Sequence, residues 1–208
     1  MEENQKPFSQ NDYEIEKREV LFQGIFRIAR YHVRHRKFSG RWTNIFSREI
    51  FERVSAAGIL PYDPIRDSVV LIEQFRAGAI ANPQSPWLIE IVAGLCDDHE
   101  APASVAVREA DEEAGVKIMD ICPIYDYFVS PGGSNEYINL YCGRVDASEK
   151  NSIHGLADEN EDIRAFVLTV DEACEWLRQG KIKTAPAIIA LQWLQLNREW
   201  LKKLWQIK

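Results

Sequence analysis

Glu109, Glu112 and Glu113 lie at positions i, i+3 and i+4 of the run READEEAG, residues 108–115. On a helix, three side chains at this spacing project from one face and crowd one another. Like charges so placed weaken a helix by roughly 0.2–0.5 kcal/mol per pair, so something must offset the repulsion. Two readings are open. One is a solvated acidic face, the usual fate of a charge run. The other is a seat for a hard divalent cation such as Mg2+, which takes oxygen ligands, keeps several waters and needs only one or two carboxylates plus substrate phosphates. The charge is concentrated around this run: residues 94–116 hold seven acids (Asp97, Asp98, Glu100, Glu109, Asp111, Glu112, Glu113) and one base, Arg108, in a chain whose formal net charge is -7. As the sole cation among these acids, Arg108 is expected to orient Glu100 or a neighbouring carboxylate rather than to meet substrate.

Composition removes several classes. Six Trp, nine Phe and seven Tyr in 208 residues are too many for a disordered chain. No apolar run approaches the ~20 residues of a membrane-spanning helix. The polar residues 1–19 carry neither the apolar core of a secretory signal nor the acid-poor face of a transit peptide, so a cytoplasmic location with no membrane partner is expected. Cys96, Cys122, Cys142 and Cys174 form no C-x-x-C pair and are expected to be buried free thiols. His32, His35, His99 and His154 are expected in surface or structural positions. An acidic balance without a basic stripe argues against nucleic acid.

The acidic run must be positioned by the elements around it. Residues 102–114 read as its helix, with Pro102 in the first turn, Val105 and Val107 as apolar positions and Gly115 as the stop. Strands are predicted at 56–62, 68–75, 87–92, 122–129 and 137–142, and further helices at 171–179 and 185–204. Upstream, 20–22, 25–33 and 43–46 alternate as three short strands. Such a sheet makes a poor core alone and needs another domain or chain to cover it. The sum is an α/β domain, 54–208, with a mixed sheet flanked by helices, preceded by a small antiparallel β domain, 1–53.

Gly94, Glu100, Arg108, Glu109, Ala110, Glu112, Glu113, Gly115 and Val116 follow the pattern G-x5-E-x7-R-E-U-x-E-E-x-G-U, where U is apolar. This resembles the Nudix box. The resemblance implies the Nudix α/β/α sandwich and hydrolysis of a nucleoside diphosphate linked to a second moiety. It further implies that Glu109, Glu113 and the Ala93 carbonyl hold Mg2+, two or more ions with Mn2+ able to substitute, and that Glu112 is an outer or bridging carboxylate of the reaction.

Pro131, sixteen residues after Gly115, is either an ordinary Pro-Gly turn or a mark of the ADP-ribose pyrophosphatase branch of this family. Other segments also resemble that branch. The second acidic cluster, 154–164, resembles its catalytic loop, which implies Glu159 as the base that activates water and Glu161 as a further metal ligand, with the two roles open to exchange. Phe26, Arg48, Glu49 and Arg53 resemble its N-terminal part, where an aromatic stacks on adenine and arginines meet substrate, consistent with a flat apolar face and a planar guanidinium fork. Arg76 falls at its diphosphate-binding position, and Leu95, Ser130 and Glu136 at positions that line the substrate. The branch implies a homodimer, joined through residues 1–53, that splits ADP-ribose into AMP and ribose 5-phosphate. The alternatives are a hydrolase of another nucleoside diphosphate sugar, such as GDP-mannose, and a non-catalytic Nudix-like regulator, which would have an eroded box. An isoprenoid isomerase on the same fold would need paired cysteine and histidine groups that are not found here.

Overall fold

A computed structural model describes residues 8–97, 99–148, 152–155 and 160–207. The chain divides into two compact units, one formed by residues up to Arg53 together with Phe128–Glu136, the other by the remainder.

In the first unit, β1 (Tyr13–Gln23), β2 (Arg27–His35) and β3 (Phe46–Glu52) form an antiparallel sheet in that order. The third strand runs over 46–52 rather than the predicted 43–46. Its two acids are tolerated because each finds a partner on another strand: Arg30 bonds Glu49 at 2.7 Å, and Arg18 donates from Nε to Glu52 at 2.9 Å. Among this unit's described residues, Ala29 is the only fully buried apolar side chain, so the sheet lacks a core of its own. The segment Phe128–Glu136 is zipped onto β3. Phe51 N–H donates to the Gly133 carbonyl at 2.8 Å, and Arg53 N–H to Asn135 Oδ1 at 2.7 Å.

The second unit is built on a mixed sheet. Its strands are β4 (Ala56–Asp63), β5 (Ser68–Phe75), β6 (Trp87–Glu90), β7 (Val92–Leu95), β8 (Asp120–Phe128), β9 (Tyr137–Arg144), β10 (Ser152–His154) and β11 (Ile163–Thr169). The main path is β10-β11-β5-β4-β9-β8, with β6 on β5 and β7 on β4; β4 and β9 are parallel. Apolar residues of β4 and β5 alternate between two covered faces, which is why both strands read as near-continuous hydrophobic runs. On one face Ala57, Ile59, Val70 and Ile72 meet α1 (Pro102–Ala114) through Val105, Ala106, Ala110 and Ala114. Small alanines one turn apart let this helix lie close to the sheet. Val107, expected on the apolar side, is exposed instead. On the other face Leu60, Tyr62, Val69 and Leu71 meet α2 (Val170–Arg178) and α3 (Ala185–Leu204). A capping box between Thr169 and Glu172 starts α2, and Pro follows the first residue of α3.

Two departures from the predicted elements matter for the site. The single strand expected at 87–92 is broken at the buried Ile91, where the chain leaves β5 and joins β4. That switch carries Ala93 and Gly94 alongside β4, next to α1. The stretch 154–164, expected to be loop throughout, is bounded by β10 and β11, which pair as a hairpin with His154 opposite Ile163. The four cysteines are buried and free, as expected.

Candidate active site

The acidic face of α1 rests on β7 through two close approaches. A Cβ on Gly94 would stand 1.9 Å from Glu109 Oε1, so the Glu109 carboxylate occupies the space of the missing side chain. One turn further on, Glu113 is 4% exposed and accepts the Ala93 N–H at 3.1 Å. Burial pushes the Glu113 carboxyl up to about 8; the Ala93 N–H and the Arg76 charge pull it down, while Glu109 and Glu161 push it further up. Glu109 is also raised, first by burial; Arg108 opposes this, and Glu112 and Glu161 add to it. Glu161 thus acts on both carboxylates in the direction of a further negative charge.

Arg108 does what its isolation among acids suggested. Its guanidinium meets Glu112 at 2.7 Å, Glu109 at 2.9 Å and Glu100 at 3.5 Å. Of the three helix carboxylates, Glu112 is thus turned toward Arg108, whereas Glu113 dips into the protein. Arg76, just past β5, is held by Glu90 at 2.8 Å, and Gln74 donates to the same Glu90 oxygen at 3.2 Å. Glu90 and Gln74 were not singled out from the sequence, where they read only as strand residues. Leu95 ends β7 with its side chain half exposed. Glu159 lies outside the described residues.

Among the described residues, no three His, Cys, Asp or Glu side chains converge as a preformed metal cage. The arrangement suits a divalent cation of the other kind. Glu109 and Glu113 offer oxygen donors one turn apart beside the Ala93 backbone, and Mg2+ completes its shell with waters and phosphate oxygens.

The first unit brings together a second set of expected residues. The Arg53 guanidinium carbon lies 5.0 Å from the Phe26 ring centroid and 5.8 Å from that of Phe51, and the two rings meet edge to face at 5.2 Å. Arg53 Nη1 also pairs with Glu136 Oε1 at 2.8 Å. Phe51, near the end of β3, lies within the segment 48–53 likened to the substrate-binding N-terminal part but carries no assigned role in the sequence reading. Arg48 and Glu49 are engaged elsewhere: Arg48 lies over Phe46 at 4.7 Å, and Glu49 binds Arg30. The exposed Ser130 accepts at its carbonyl from Gly133 N–H at 3.1 Å and Ser134 N–H at 2.9 Å, closing the turn around Pro131.

A helix-bound acidic run against a glycine strand, in a sheet covered by helices on both faces, is the arrangement the Nudix box describes, and the family comparison agrees. The model of the NUDIX domain matches residues 52–191, and the chain belongs to this family of hydrolases. Its members generally use a divalent metal such as Mg2+. Among curated relatives, the ADP-ribose pyrophosphatase of Escherichia coli (strain K12) is 48% identical over 198 residues, 95% of each chain. The ADP-ribose pyrophosphatase of Haemophilus influenzae is 41% identical over 202 residues, 96% of this chain and 93% of that one. The GDP-mannose pyrophosphatase of Cronobacter sakazakii is 38% identical over 152 residues, 72% of this chain and 78% of that one. A crystal structure of an ADP compounds hydrolase shares the fold, with a TM-score of 0.68 at 20% identity over 95% of this chain and 98% of that one. Among the described residues, no helix is long and apolar enough to cross a membrane.

Proposed function

We propose that the protein hydrolyses the diphosphate bond of ADP-ribose in a Mg2+-dependent reaction, giving AMP and ribose 5-phosphate, as a cytoplasmic homodimer. The observation that carries the chemistry is the pair Glu109 and Glu113, seated on Gly94 and Ala93 with Glu161 electrostatically close. The choice of substrate is supported by the extent of similarity: the alignments with ADP-ribose pyrophosphatases span 95% or more of the chain, whereas that with the GDP-mannose enzyme spans 72%. The exposed apolar residues of the first unit, such as Ile15, Phe22 and Ile25, support a second copy as the cover its sheet lacks.

In this reading Glu109, Glu113, Glu161 and the Ala93 carbonyl hold two or more Mg2+ ions, which Mn2+ can replace. Bound there, the ions supply charge neutralisation of the diphosphate and of the oxygens that gain charge in the transition state. Arg108 keeps Glu112 and Glu109 oriented. Glu159 takes a proton from water; the water oxygen bonds to one phosphorus, the bridging P–O bond breaks, and each product leaves with one phosphate. Arg76 meets the diphosphate, Phe26 stacks on adenine, and Arg48, Glu49, Arg53, Leu95, Ser130 and Glu136 line the remaining substrate.

A substrate panel with Mg2+, run in 18O-water with the products weighed, tests this. ADP-ribose should outrank GDP-mannose and NADH, and the label shows which phosphorus receives the water. A higher kcat/KM for GDP-mannose would overturn the substrate assignment.

A further inference from the structure

Glu161 lies at the far end of the β10–β11 connection, two residues before β11, and two described residues near it have positive φ, Gly155 at 104° and Asn160 at 56°. Gly155 lies against Glu161 itself. A Cβ on Gly155 would stand 2.7 Å from Glu161 Cβ and 3.0 Å from the Glu161 carbonyl oxygen, both too close for a side chain to be accommodated without moving Glu161. The residue before it, His154, rests on the end of α1: a Cβ on Gly115 would stand 2.5 Å from His154 Cε1. His154 is held from behind by a 2.5 Å hydrogen bond between its Nε2 and Ser152 Oγ, and by pairing with Ile163. The helix that carries Glu109 and Glu113 therefore ends against the strand whose next residue abuts Glu161.

We propose that Gly155 is a positioning residue for Glu161: its left-turned, side-chain-free backbone is the seat that sets Glu161 relative to Glu109 and Glu113, and His154 fixes that seat against the C-terminal end of α1. The assignment rests on Glu161 being a metal ligand. It explains why a glycine with φ of 104° stands here, a backbone that L side chains rarely adopt. It also gives His154 a task that needs no titration and no contact with substrate. The charge of Glu161 on both helix carboxylates agrees with the placement.

The test is Mn2+ binding without substrate, read as free Mn2+ by electron paramagnetic resonance, on the wild type, Gly155→Ala, His154→Ala, Glu161→Gln and the double variants with Glu161→Gln. Outer groups that orient a metal ligand command about 10–100-fold in affinity. Gly155→Ala should weaken Mn2+ binding by about 10-fold or more, and His154→Ala in the same direction by less. Neither should weaken it further once Glu161 is Gln, because a seat has no effect without its occupant. A purely structural role predicts instead a lowered Tm with losses that add to that of Glu161→Gln, and additivity overturns the proposal. So does wild-type Mn2+ binding in Gly155→Ala while Glu161→Gln is impaired. If Glu161→Gln itself binds Mn2+ normally, the ligand reading has failed and the positioning role falls with it. Where Gly155→Ala does not fold, His154→Ala, which leaves the turn intact, decides by the same two criteria.

Discussion

Gly94 and Glu109 compete for one volume: a Cβ on Gly94 would fall 1.9 Å from Glu109 Oε1 and 2.2 Å from its Cδ. The glycine is thus required by the carboxylate, fifteen residues away in sequence, and not by the strand in which it sits. Gly94→Ala should expel the Glu109 carboxylate from its seat, lowering kcat and weakening Mn2+ activation by about 10–100-fold, the range seen when a ligand's support is lost. Global stability should change little, because the atoms displaced belong to a flexible side chain that can swing aside. Steady-state kinetics across a Mn2+ titration, beside a thermal melt, separate the two. Unchanged metal dependence would show that the contact is incidental.

Glu113 is nearly fully buried, and its main interaction in the metal-free protein is one N–H from Ala93. Glu113→Gln keeps the shape and an acceptor for that N–H while removing a carboxyl whose ionisation burial disfavours. Turnover with Mg2+ should fall by about 100-fold or more, beyond what outer groups command. The metal-free variant should be at least as stable as the wild type above the ordinary carboxyl value of 4.5, where the unfolded chain releases the Glu113 proton that the folded one retains up to about 8. Wild-type activity in Glu113→Gln would remove Glu113 from the metal site.

The α1 helix and its chemistry were legible because the signal is local: carboxylates at i, i+3 and i+4, Pro102 at the start and Gly115 at the stop lie within fourteen residues. The strands beside it were less so. Nothing in Trp87–Glu90 or Val92–Leu95 marks Ile91 as the point where the chain changes neighbours, because both halves are apolar and pairing partners are non-local. The β10–β11 hairpin was hidden for a different reason. Acidic residues dominate the reading of 154–164, while β11 begins only at Ile163, where Ala165 and Phe166 already face opposite sides of the sheet. The Arg53 cluster was half visible. Phe26, Arg53 and Glu136 come from a likeness, but the turn that delivers Glu136 is held by Phe51 backbone bonds that no side-chain pattern announces.

Arg53 is flanked by two aromatic rings and Glu136, and it pairs with the acid through Nη1. Lysine offers a point charge without the planar fork that can stack and pair at once. Arg53→Lys should therefore raise KM for ADP-ribose by about 10-fold with kcat much less affected, the signature of lost ground-state binding. Glu136→Gln should move KM in the same direction. Equal loss in kcat and kcat/KM would instead place Arg53 in the transition state.

Far from the metal seat, Asp63 ends β4 almost fully buried and gathers four donors: the N–H groups of Ile65 at 2.9 Å, Arg66 at 3.0 Å and Ala147 at 3.0 Å, and the Arg66 guanidinium at 2.8 Å. Burial alone would raise its pKa, but these donors outweigh it and hold the carboxyl below the usual range. A folded-state pKa below the unfolded one means that the unfolded chain binds the proton more readily as the solution is acidified. The stabilisation from Asp63 is therefore present in full above the ordinary value of 3.8 and is lost as pH falls through the lower folded-state value. Asp63→Asn keeps one acceptor and loses the charge, and should cost about 1–3 kcal/mol at neutral pH. Urea melts of both proteins from neutral pH down into the acid range should show the difference shrinking below the ordinary carboxylate pKa, because there the wild type loses what the variant never had. A difference that stays constant through that range would assign the loss to packing rather than to the charge on Asp63.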